Sequence, residues 1–178
     1  MNGLVPLLLP HTPAIVKRQA LAQLFGATAA AFQCDMPSLS GLSREKCLLA
    51  YAQFTADRAE AALRRGDHLP KLQERLYDNA YRLGRKPGRL LRVHTVGDVM
   101  VLGRFLYSVL DIDFEGAGGG EILIRRCYFS SFYSPQVCQL MSAMDRGLLA
   151  GLAGGGDLAF AARSTEGAPC CRAKFSRS

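Results

Sequence analysis

The chain predicts an α+β fold in which N-terminal helices pack on an antiparallel sheet supplied mainly by the C-terminal half, the two enclosing a ligand pocket. Three observations predict it. Helical apolar spacing dominates up to about residue 109, alternating segments separated by glycine-rich turns follow, and one strongly signalled helix crosses between two hairpins. The 178 residues, 49% of them hydrophobic, suit a single domain over 1–178 with a sizeable core. Its helical part runs over about 12–109 and its sheet-forming part over about 110–178, with the crossing helix at 135–152.

The first helix is predicted from a Thr12–Pro13 start over Ile15 to Phe32, with Leu21, Leu24, Phe25, Thr28 and Phe32 in helical register and Gly26 as an interruption. A loop composition follows from Cys34 to Leu42. Ser43 caps the second helix and Gly66 ends it after about Arg65; its buried face is Cys47, Leu48, Tyr51, Phe54, Thr55, Ala59, Ala62 and Leu63. Cys47 on that face reads as packing. Pro70 opens a third helix to about Leu83, and GRKPGR from Gly84 to Arg89 reads as a basic turn suited to anions. After an ambiguous stretch over 90–95, Asp98 to Val109 forms a fourth helix.

The sheet begins with Ile112 and Phe114 alternating with outward Asp111, Asp113 and Glu115, turns at Gly116 to Gly120, and returns over Glu121 to Phe129. That glycine run lacks the lysine and the spacing of a phosphate loop. Ser134 and Pro135 then start the crossing helix, whose stripe is Val137, Leu140, Met141, Met144, Leu148 and Leu152 and whose stop is Gly154 to Gly156. Ala143, Gly147, Ala150 and Gly151 form a second, small-residue face that admits close approach of another element. Leu158, Phe160 and Ala162 make one face of the next strand, and Cys171, Ala173 and Phe175 one face of the last, so Cys170 and Cys171 point apart.

The formal charge of +7 is concentrated between Arg64 and Arg92, where nine basic residues face Asp67, Glu74 and Asp78. This surface is either a solvated face or an attractor of an anionic small molecule or protein. The absence of a nucleic-acid motif or interleaved aromatics argues against nucleic acid. The N-terminal MNGLVPLLLP has no basic flank or cleavage site, and no run reaches the roughly 18 apolar residues of a membrane span, so a cytoplasmic location without a membrane span is expected. Six cysteines in such a chain read as free thiols or metal ligands rather than disulfides.

Cys138 is the strongest reactive candidate. It stands in the first turn of the crossing helix, where free amides favour negative charge and would lower a thiol pKa; Ser142 and Asp145 follow on neighbouring parts of the same face. His94 is the ready acid–base group of the second half, against the commoner reading of a satisfied structural histidine. Glu166 is either a general acid or base or an ordinary turn carboxylate. Cys127, Cys138 and Cys170 or Cys171 have the chemistry to bind zinc, although no CxxC pair anchors them; buried packing is the competing reading.

The segment CYFSSFYSPQVCQLMSAMDRGLLAGL, followed by a strand and TEGAPCCRAKF, resembles the C-terminal half of the 2-aminothiazoline-4-carboxylate hydrolase-like proteins. It is more distantly similar to 4-vinyl-reductase-type small-molecule-binding domains. The resemblance covers about 127–175. It implies an α+β domain with a ligand pocket and with Cys127, Cys138, Cys170 or Cys171 at its functional edge. It also implies either a hydrolase cleaving a C–N bond of a cyclic amidine carboxylate, or a non-enzymatic sensor or accessory domain for a tetrapyrrole, lipid or other ligand. On the first reading Cys138 attacks the ring carbon and Arg126 or Arg163 holds a carboxylate in a paired hydrogen-bond fork. Zinc or a tetrapyrrole is the cofactor implied, an anionic small molecule the ligand, and a second copy of the chain a further candidate partner.

Overall fold

The computed structural model describes residues 13–66 and 68–178; the Thr12 half of the first start signal lies outside them. Among the described residues, five α-helices and a four-stranded antiparallel sheet make an α+β fold: α1 (Ala14–Ala31), α2 (Arg44–Arg65), α3 (Leu69–Leu90), α4 (Val96–Val109), β1 (Phe114–Gly116), β2 (Glu121–Ile124), α5 (Pro135–Ala153), β3 (Asp157–Ala162) and β4 (Cys171–Ser176). The sheet order is β1-β2-β4-β3, so the two hairpins meet along β2 and β4. Among the described residues, no helix is long and apolar enough to cross a membrane.

Local signals hold where they are strongest. Ser43 accepts the Lys46 amide and Gly66 closes α2 in the left-handed region at φ 65°. Ser134 accepts the Val137 amide, Pro135 takes the first turn of α5, and Gly154 closes it at φ 77°. Thr95 and Asp98 form a reciprocal capping box at the start of α4. The alternation of β4 is realised as buried Cys171, Ala173 and Phe175 and exposed Arg172, Lys174 and Ser176.

Three expectations are corrected. The basic turn over Gly84 to Arg89 is helix: α3 continues to Leu90 with Pro87 inside it. The reason lies across the interface. A Cβ on Gly84 or Gly88 would collide with the backbone of Leu148 or Leu152 in α5, and one on Gly147 or Gly151 would collide with that of Tyr77 or Tyr81 in α3. Glycines on both helices therefore let the two backbones touch, and this contact fixes a segment whose composition reads as a turn. Gly26 likewise does not interrupt α1.

The return strand expected to reach Phe129 stops at Ile124, and Tyr128–Ser131 forms a 3₁₀ turn. The Cys127 carbonyl accepts both the amide of Ser130 (3.2 Å) and its hydroxyl (2.7 Å), a local alternative to the ladder. The turn swings Phe129 inward against Tyr51 and Tyr133, at ring-centroid distances of 5.8 and 5.3 Å.

The core has two parts. One joins α1, α2 and α4 to the inner face of the sheet, through Phe25, Tyr51, Val99, Phe114, Ile124 and Phe175. The other joins α2, α3 and α5 through Ala59, Leu72, Leu76, Val137 and Leu140. The candidate site lies where they meet.

Candidate functional site around Asp145

The cap at Ser134 sets the phase of α5, and that phase carries Cys138, Ser142 and Asp145 along one side of the helix, with the Ser142 hydroxyl donating to the Cys138 carbonyl at 2.7 Å. Cys138 and Asp145 face a cavity of about 90 Å³. The inner sheet face adds Ile124 and Cys171, the 3₁₀ turn after β2 adds Cys127, Phe129 and Tyr133, α4 adds Tyr107, and the β3–β4 connection adds Ser164 and Thr165. Most of the lining is apolar.

Asp145 dominates the electrostatics. Burial pushes its pKa up to about 6, while the hydrogen bond from Tyr107 and the positive charge of Arg163 pull the other way. Tyr107 donates to Asp145 Oδ1 at 2.7 Å. Its phenol is held well above the ordinary range, first by burial and then by the adjacent carboxylate. Cys127 is pushed up to about 12, chiefly by burial, with Asp145 adding to the rise.

The expectation of a lowered Cys138 thiol pKa is corrected. Burial raises it and Asp145 adds to the rise, outweighing the Thr165 hydroxyl and Arg163, which favour the thiolate. The amide of Cys138 is engaged by the Ser134 carbonyl at 2.9 Å, so it is not a free donor of the helix start. Desolvation beside a carboxylate overrides the helix terminus.

Of the other candidates, Cys171 is buried on the cavity wall, its sulfur accepting the Ser164 amide at 3.3 Å. Arg163 stacks over the Phe160 ring at 4.5 Å and lies 3.6 Å from Glu166. Its Nε is buried without a hydrogen-bond partner, while the buried Thr165 hydroxyl lies within reach of the Cys138 thiol, whose charged form it favours. Thr165 lines the cavity and Arg163 does not. Glu166 sits outside the cavity lining, accepting from Gln139 at 2.9 Å.

Cys170 and the exposed Arg126 do not line the cavity either. His94 is elsewhere: it is exposed, its carbonyl accepts from Arg177, and it borders a separate cleft with Arg85, Arg89 and Arg92 at the ends of α3 and α5. The ready acid–base group of the second half thus stands at a different cleft from Cys138. Among the described residues no group of three or more His, Cys, Asp or Glu side chains could hold a metal ion, so the set Cys127, Cys138 and Cys170 does not fit a zinc site.

Sequence reading missed Tyr107, Tyr133 and Thr165. Tyr107 carries a faint signal, a phenol in the otherwise apolar register of α4. Thr165 carries none, since only the fold brings the β3–β4 connection over the start of α5. Comparison with protein-family models, with curated proteins and with solved structures finds no match for the chain.

Proposed function

We propose that the protein is a small-molecule-binding domain whose ligand is held at Asp145. The observation that carries this reading is a half-buried carboxylate that accepts from the Tyr107 phenol and faces an apolar cavity whose wall also carries the Cys138 thiol and the Thr165 hydroxyl. An apolar pocket with a few convergent polar groups and a perturbed acid is the usual form of a ligand site. Asp145 selects a neutral or basic group at this end, because a ligand carboxylate here would meet like charge. The resemblance to the 4-vinyl-reductase-type domains supports the same class. Chemical-shift mapping with indole and imidazole is the test. Binding is expected to shift the resonances of Tyr107, Cys138 and Asp145, and the imidazole effect to weaken as the carboxylate is protonated below pH about 6; absence of shifts at these residues with both probes overturns the reading.

The presence of Cys138 and Asp145 on one cavity wall favours a hydrolytic second reading, in keeping with the resemblance to the 2-aminothiazoline-4-carboxylate hydrolase-like proteins. Cys138 Sγ would add to an amidine carbon while Asp145 takes the thiol proton and returns it to the departing nitrogen; water would then release the thiol. Turnover of cyclic amidine carboxylates that survives Cys138→Ser removes this second reading.

A further inference from the structure

Leu24, Leu106, Leu110 and Leu148 line the cavity and also line a groove between α1, α3 and α4. Four leucines thus separate the Asp145 chamber from a surface space of about 500 Å³. The chamber's 90 Å³ falls below the ~300–1,000 Å³ of sites that bury small organic molecules, and the groove behind the wall brings the combined space into that range. The wall has no hydrogen bond to break: it consists of leucine side chains, which change rotamer without exposing a polar group. The groove continues the apolar surface through Leu83, Pro87 and Leu90, and Leu90 is 73% exposed. Its polar lining includes Arg82 and Lys86, and neither pairs with a carboxylate among the described residues.

We propose that groove and chamber are two halves of one site, and that the ligand is an elongated apolar chain with an acidic end group. The acid sits at Arg82 and Lys86, the chain crosses the wall of Leu24, Leu106, Leu110 and Leu148, and the far end reaches the chamber. The charges set this direction. An acid placed inward would face Asp145, whereas outward it meets two cations in reach of water. The inference rests on the small-molecule reading of the Asp145 chamber, and deepens it by naming the ligand class.

Titration with decanoate, decan-1-ol and indole, followed by calorimetry and chemical-shift mapping, tests it. Decanoate is expected to displace indole from the chamber and to bind more tightly than decan-1-ol. The double variant Arg82→Glu/Lys86→Glu is expected to weaken decanoate by about fivefold or more at low salt while leaving indole binding unchanged. Leu148→Phe, which narrows the wall, is expected to weaken decanoate more than indole; circular dichroism confirms that each variant is folded. If indole binds the chamber but decanoate does not displace it, or decan-1-ol binds as tightly as decanoate, or charge reversal has no effect, the elongated-acid inference is overturned and the small-molecule reading stands. If indole too fails to reach the chamber, both are overturned.

Discussion

Tyr107 of α4 donates its phenolic proton to Asp145 of α5 at 2.7 Å, and this single bond ties the helix leading into the sheet to the helix that crosses between the hairpins. It is also where stability and ligand binding compete. A carboxylate kept in an apolar chamber is disfavoured when ionised, and the phenol and Arg163 offset only part of that cost.

Asp145 makes stability fall as pH rises. Its folded pKa, about 6, lies above the ordinary 3.8, so the folded state holds the proton more tightly. The contribution is fully present below pH about 4 and is lost as pH climbs through 6. Urea denaturation of Asp145→Asn should therefore show an advantage over the native chain that grows across this window, to on the order of 2 kcal/mol at neutral pH. An advantage independent of pH would mean that the carboxylate is not desolvated.

Substitution of two glycines should give opposite signs. Gly26→Ala in α1 meets only the Met36 sulfur at 4.0 Å and gains helix propensity, so a stabilisation of about 0.5–1 kcal/mol is expected. Gly84→Ala in α3 places a methyl group in the Leu148 backbone, and a loss of at least about 2 kcal/mol is expected despite the same gain in propensity. Denaturant midpoints of the two variants decide whether the α3–α5 contact holds the last turns of α3.

Cys138 should behave as a protected thiol. Burial beside Asp145 raises its pKa, so alkylation by iodoacetamide at pH 7.5, followed by peptide mass spectrometry, should be slower than for an unhindered model thiol and should accelerate toward alkaline pH. Fast labelling at neutral pH would restore the polarised thiol expected of a helix start.

The Thr55 hydroxyl bonds the Tyr133 hydroxyl at 2.6 Å and the Tyr51 carbonyl at 2.9 Å, positioning one side of the chamber. Thr55→Val strands the buried phenol and should cost about 1–3 kcal/mol. Tyr133→Phe leaves Thr55 bonded to the Tyr51 carbonyl and should cost less, about 0.5–1.5 kcal/mol. Equal costs in thermal or urea unfolding would show that Tyr133 finds another partner.

Local signals determined what depends on neighbours in the chain. Ser43 with Gly66 and Ser134 with Gly154 bound α2 and α5, because a cap satisfies free amides or carbonyls within a few residues of itself. The alternation of Cys171, Ala173 and Phe175 orients β4 because the strand period is two. The same phase logic put Cys138, Ser142 and Asp145 on one side of α5 before any partner was visible. The tertiary structure decided the rest. GRKPGR is helix because a distant pair of glycines lets α5 approach it, and the return strand ends early because Phe129 is drawn toward Tyr51. Cys138 sits high rather than low in pKa, and His94 stands by a different cleft. Backbone contact, desolvation and charge proximity are properties of space rather than of spacing, so the pairing of Asp145 with Tyr107, residues 38 apart in the chain, arises only from the packing of α4 against α5.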